Sequence, residues 1–146
     1  MQSVDILLVE DNLADIVLVR EALKDAKIHN DLHVVSDGES AILFLAQDET
    51  VNPDKIKPGL VLLDLYMPKK NGMEVLGFIK GDESLKTIPV VVMTSSQEES
   101  DIMQAYELQA NCYITKPVDF KQLISVVKTI EDFWLSVVRL PAQRKT

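Results

Sequence analysis

One cysteine, no long apolar run, no surplus of basic charge and no repeats: each of these shortages narrows what the 146-residue chain can be. A lone cysteine, Cys112, excludes an internal disulfide framework and a cysteine-rich zinc site. Its place at the start of a short strand reads as a small buried hydrophobe rather than a redox thiol. No apolar stretch approaches the roughly 20 residues of a membrane span. The first residues, Met1, Gln2 and Ser3, run straight into a strand pattern without the basic region and apolar core of a signal peptide, so a cytoplasmic location is expected. Fifteen Lys and Arg against 23 Asp and Glu leave a formal charge of -8, a field that repels nucleic acid and anionic lipid as primary partners. His29 and His33 have no companions at metal-ligand spacing and read as ordinary surface or edge residues.

What is present is an alternation. With 47% apolar and 26% charged residues the composition is that of one globular domain, long enough to bury about two-thirds of its unfolded surface. Short apolar runs at Val4 to Val9, Leu32 to Val35, Leu60 to Leu63, Pro89 to Met93 and Tyr113-Ile114 read as strands. Between them lie helical patterns: Asn12 caps the first, Asp37-Gly38 turns into the second, and Gly72 to Lys80 forms the third. Ser96 to Glu99 has capping-box spacing for the fourth. Asp119 caps a fifth helix that runs on to Val138 before Pro141. Residues 48–59, polar and with two prolines, read as a long surface loop.

Continuous apolar strands imply a sheet buried on both faces, and alternation with helices implies parallel strands joined by right-handed crossovers. The predicted architecture is therefore a five-stranded, doubly wound α/β sheet in the order 2-1-3-4-5. In such sheets the site lies beyond the carboxyl ends of the strands, at the switch between strands 1 and 3.

The residue following each strand names the candidates: Glu10 and Asp11 after the first, Asp64 after the third, Thr94 at the fourth and Lys116 at the fifth. Crowded carboxylates drive one another toward protonation unless a cation lies between them. All-oxygen ligands without His or Cys suit a hard ion, Mg²⁺ or Mn²⁺. A carboxylate, a metal, a hydroxyl and an ammonium group form a phosphoryl-transfer arrangement, in which Asp64 accepts the group as an aspartyl phosphate while Lys116 and the metal neutralise its charge. The same acidic pair would repel a flavin phosphate. Taken singly, an Asp at a strand end is usually a cap or solvated. Convergence of five such residues is what points to function.

The segments VEDN at 9–12, DLYMPKKNG at 64–72, MTSS at 93–96 and YITKP at 113–117 resemble the receiver domain of two-component response regulators, with a flavodoxin-like receiver fold. The loop at 48–59 and the ending IEDFWLSVVRLP at 130–141 resemble the single-domain regulators paired with bacterial phytochrome histidine kinases. The resemblance implies that Asp64 takes phosphate from a kinase histidine. It implies that Asp11, Asp64 and the Tyr66 backbone carbonyl bind Mg²⁺, with Glu10 acting through water. It further implies that Lys116 and Thr94 contact the phosphoryl group, that Tyr113 is an aromatic switch, and that the Lys116–Pro117 bond is cis. The Tyr66 ring is expected to narrow the path of the hydrolytic water and so tune the lifetime of the phosphorylated state.

Residues 1–140 are expected to form the receiver and 141–146 a short tail, with no output domain. A 20-residue helix spans about 30 Å and a five-residue strand about 17 Å. The last turns should therefore overhang the sheet and expose Phe133, Trp134, Leu135 and Val138 as a homodimer interface, with possible help from helix 4 and strand 5. Two other readings compete with the switch. An aspartyl-phosphate hydrolase of the haloacid-dehalogenase kind places its nucleophile after strand 1 with a second Asp two residues on, whereas here Tyr66 follows Asp64 at that spacing. A non-phosphorylated binding module would not need Asp64, Thr94 and Lys116 intact.

Overall fold

The computed structural model describes residues 3–66 and 71–133, with side chains through 130 at the last helix. Ten elements alternate: β1 Val4–Val9, α1 Leu13–Asp25, β2 Asn30–Val35, α2 Gly38–Leu45, β3 Leu60–Leu63, α3 Gly72–Gly81, β4 Val90–Thr94, α4 Glu99–Glu107, β5 Cys112–Thr115 and α5 Phe120–Phe133. The five strands are parallel and lie in the order β2-β1-β3-β4-β5, as the alternation predicts.

Strand β3, β4 as far as Met93, and β1 from Ile6 onward are apolar because the centre of the sheet has no wet face, whereas edge strand β2 keeps Asn30, Asp31 and His33. Side chains of a strand alternate between its two sides. Leu7 and Val9 of β1 join Val61, Leu63, Val90 and Val92 under α2, α3 and α4. Ile6 and Leu8 join Leu60, Leu62, Val91 and Met93 under α1 and α5. Each such side chain contributes about 1.5–3 kcal/mol on full burial, so the central strands hold most of the stability. On α5, Leu123 and Val127 are buried, and Ile124, Val126 and Ile130 also pack against this second cluster.

Local chemistry sets where the helices begin. Asn12, Asp37 and Asp119 accept from the backbone N–H three residues on, at 3.0, 2.7 and 2.9 Å, as expected of caps. The capping box expected from Ser96 to Glu99 does not form. Helix α4 starts at Glu99 on an N-cap, Glu98, that makes no side-chain cap bond. The Ser96 hydroxyl is already engaged, donating to Asp101 at 2.6 Å and accepting from the Glu98 N–H at 3.2 Å. A reciprocal box is found instead at Asn71 and Glu74, opening α3.

Among the described residues, three helices end on a left-handed residue that is not glycine: Lys27, Gln47 and Gln109, with φ of 58°, 63° and 71°. Each closes a 6→1 and 5→2 pair of hydrogen bonds, such as Ala110 N–H to Ala105 O and Gln109 N–H to Tyr106 O. The 48–59 loop is anchored from within by Asn52, almost fully buried, whose amide donates to the carbonyls of Phe44 and Ile56 and accepts from the Ile56 N–H. Cys112 is half-buried against the second core cluster, with its thiol raised by that burial, in keeping with a packing role. His29 is exposed, and His33 on edge strand β2 meets Asp5 at 3.1 Å.

Candidate functional site

The ladder that builds the sheet also aims the site. Glu10 follows β1, and its N–H donates to Val35 O at 3.0 Å. The N–H of Asp64 donates to Val9 O at 3.0 Å, and that of Lys116 to Thr94 O at 2.8 Å. Each of these residues is thus the first step beyond a strand, held by its neighbour's last carbonyl, and all project from one edge.

Lys116 is the hub. Its ammonium donates to Asp15 Oδ2 at 2.7 Å, Glu10 Oε1 at 2.8 Å and Asp64 Oδ2 at 3.2 Å. The Lys116–Pro117 peptide bond is cis, as the resemblance implies. Asp64 is 6% exposed, and its second oxygen accepts from the Tyr66 N–H at 3.1 Å. Glu10 is fully buried, its other oxygen accepting from the Asn12 N–H at 3.2 Å. Burial pushes the Glu10 carboxyl up to about 7, opposed by the Lys116 hydrogen bond and assisted by the charge of Asp64. Burial would lower the Lys116 ammonium, but its bonds to Asp15 and Glu10 outweigh this and hold it above the usual lysine range.

Glu10, Asp11 and Asp64 place one carboxylate oxygen each within 4.8 Å of one another. Burial, mutual repulsion and an all-oxygen donor set fit this cluster to a hard divalent metal. Asp11 is its solvent-exposed member.

Thr94 is fully buried, and its hydroxyl accepts from the Ser96 N–H at 3.4 Å. Among the described residues no hydrogen bond joins the Thr94 hydroxyl to Asp64 or to Lys116, whose N–H reaches only the Thr94 carbonyl. Tyr113 is half-buried, its hydroxyl donating to Ser96 O at 3.0 Å and its ring 6.5 Å from that of Tyr106. Tyr66 is 56% exposed, yet its hydroxyl donates to Asp101, the carboxylate that also receives Ser96. A chain of polar contacts therefore runs from the loop after β3, through the first turns of α4, to β5. Met67 and Pro68 lie outside the described residues, as do Trp134, Leu135 and Val138, and of Phe133 only the backbone is described.

Asp15 and Asp101 are site residues that carry no motif signal. Asp15 could have been found by geometry. It stands in the first turn of α1, whose cap, Asn12, lies only three residues past the end of β1, so its side chain returns to the same edge. Asp101 is linked to Tyr66 across 35 residues, and nothing local announces it.

The arrangement has counterparts among known proteins. The family model for the response regulator receiver domain matches residues 6–128. The response regulator Rcp1 of Synechocystis sp. is 49% identical over 137 residues, covering 94% of this chain and 92% of its own. The phosphorylated cyanobacterial phytochrome response regulator RcpA superposes with a TM-score of 0.79 at 47% identity, covering 92% of this chain and 96% of its own. The Mn²⁺-bound form of Rcp1 superposes with a TM-score of 0.78 at 47% identity, over the same shares of the two chains. Sheet order, acidic cluster, lysine hub and a match along most of its length agree: the chain belongs to the response regulator receiver domain family.

Proposed function

We propose that the protein is a phosphoacceptor switch in which Asp64 receives a phosphoryl group from the histidine of a sensor kinase. The single observation that supports this most is the Lys116 ammonium 3.2 Å from Asp64 Oδ2 at the mouth of a buried acidic cluster. An Asp64 oxygen attacks phosphorus as the N–P bond to the kinase imidazole breaks, and the imidazole leaves with a proton. Lys116 then faces the new charge, and the Thr94 hydroxyl reorients from Ser96 toward it. Loss of the Thr94–Ser96 contact loosens the Ser96 carbonyl that holds Tyr113, which gives the aromatic switch a reason to turn inward.

Glu10, Asp11, Asp64 and the Tyr66 carbonyl are the groups that would hold Mg²⁺, or Mn²⁺ in its place. When bound, the ion supplies positive charge that offsets the carboxylates and the phosphoryl oxygens. Phosphorylation and its reversal proceed on the chain's own residues, with no separate catalytic centre. The relative RcpA, a cyanobacterial phytochrome response regulator, supports a phytochrome-type kinase as the donor, and the setting is read as cytoplasmic.

Residues 1–140 are read as the receiver and 141–146 as a tail, with a homodimer formed through Phe133, Trp134, Leu135 and Val138. Light scattering at micromolar concentration should give a dimer. A monomer, with and without phosphorylation, refutes that assembly.

The deciding experiment is incubation with a small acyl phosphate and Mg²⁺, followed by intact-mass measurement. One phosphoryl group should add to the wild type and none to Asp64→Asn. Continuous turnover of phosphomonoesters would instead identify a hydrolase.

A further inference from the structure

Among the described residues the ammonium of Lys116 has three carboxylate partners, and they are not equivalent. Glu10 and Asp64 belong to the oxygen cluster that suits a divalent cation, together with Asp11. Asp15 lies outside that cluster, yet makes the shortest of the three contacts, 2.7 Å against 2.8 and 3.2 Å. Its backbone is fixed as well: the Asp15 N–H donates to the Asn12 cap at 3.0 Å, which seats it in the first turn of α1.

An ammonium and a divalent cation compete for the same oxygens. Once Glu10 and Asp64 turn toward a cation, Lys116 loses two partners and is repelled by the incoming charge. Without another carboxylate it would be a half-buried, unpaired cation, which is a costly state. Asp15 is the partner that a cation at the cluster leaves free.

We propose that Asp15 is a positioning residue for Lys116, the seat that retains its ammonium at the rim of the site while a divalent cation occupies Glu10, Asp11 and Asp64. Asp15 thereby eases entry of the cation and keeps the lysine within reach of Asp64 for the phosphoryl group. This rests on the reading of the cluster as a cation site.

The test is a calorimetric Mn²⁺ titration, at fixed ionic strength, of the full chain as wild type, Asp15→Asn, Lys116→Met and the double variant. The lost charged hydrogen bond should weaken Mn²⁺ binding by about tenfold in Asp15→Asn. Lys116→Met removes the competitor, and in that background Asp15→Asn should change affinity by less than about threefold. Asp15→Glu, which keeps the charge, should restore most of the wild-type affinity. Equal losses from Asp15→Asn in both backgrounds would mean that Asp15 acts only as a distant charge, and would overturn the proposal. So would the absence of any loss. Failure of the wild type itself to take up Mn²⁺ would refute the cation-site reading, and this inference with it.

Discussion

Replacing Gly72 by alanine puts a methyl group where the chain leaves no room for one. A Cβ built there would lie 2.4 Å from the Asp64 carbonyl oxygen, 2.5 Å from Leu65 Cα and 3.0 Å from the Asp64 carbonyl carbon. Nonbonded carbons prefer about 3.5–4.0 Å, so the worst overlaps exceed about 1 Å. The obstructing atoms are backbone, so no rotamer change relieves them. The two segments are also tied, since the Gly72 N–H donates to Leu65 O at 2.8 Å. Relief must stretch that bond and displace the peptide that carries Asp64. Overpacking of this kind costs about 1–3 kcal/mol and the strained hydrogen bond about 1 more, giving about 2–4 kcal/mol in all. Gly77, in the same helix, has nothing within 4 Å of its Cβ position. Alanine there should gain about 0.5–1 kcal/mol from helix propensity. One substitution, made five residues apart, should therefore act in opposite directions. Urea melts followed by far-ultraviolet circular dichroism would measure both, with an unchanged m-value licensing the comparison. Gly72→Ala should also accept phosphate poorly from a small donor, while Gly77→Ala should match the wild type. A Gly72→Ala protein within about 1 kcal/mol of wild type would refute the steric argument.

Three further outcomes are expected. Folded Glu10 titrates near 7 and the unfolded carboxyl near 4.5, so stability from this group is complete below 4.5 and lost as the pH rises through 7; the metal-free wild type should lose stability relative to Glu10→Gln across that window, and a constant difference in urea midpoint would contradict it. Tyr66 is pinned through its hydroxyl to Asp101, so Tyr66→Ala should shorten the life of the phosphorylated state by about tenfold, or about 1.4 kcal/mol of barrier; an unchanged decay of the phosphorylated mass peak rules out a role for the ring. Gln109, with φ of 71°, should gain about 0.5–1 kcal/mol as glycine, read as a higher urea midpoint.

The strand ends were legible because they obey a rule of topology. Once five apolar runs alternate with helices, Glu10, Asp64, Thr94 and Lys116 fall at one edge whatever their loops do. The helix ends were harder to read for a physical reason. A helix stop is announced by glycine in the left-handed position, and here Lys27, Gln47 and Gln109 occupy it, so the backbone turns without the usual signal. Ser96 shows the opposite error: its spacing imitates a capping box, but Asp101 captures the hydroxyl first. Asp15 escaped because its partner is 101 residues away, and pair contacts of that range leave no local pattern.

Four carboxylates gather at this edge around one ammonium that contacts three of them, and that imbalance ties the site to the stability of the fold. Buried like charges oppose folding, and the metal-free protein relieves part of the strain by raising Glu10 toward protonation. A divalent ion offers a stronger relief that exists only in the folded state, since only the folded sheet gathers residues 10, 11 and 64 within 4.8 Å. By linkage, an ion present at about 100 times its dissociation constant would add about 2.7 kcal/mol. It would also displace the Glu10 proton, so its affinity must rise with pH up to about 7. Phosphorylation reverses part of this gain by adding negative charge at Asp64, and Lys116 is the cation placed to answer it. The charge surplus of the whole chain, -8, therefore has a local counterpart that is functional. The site is under-compensated at rest, which is the condition a switch driven by cation and phosphoryl binding requires.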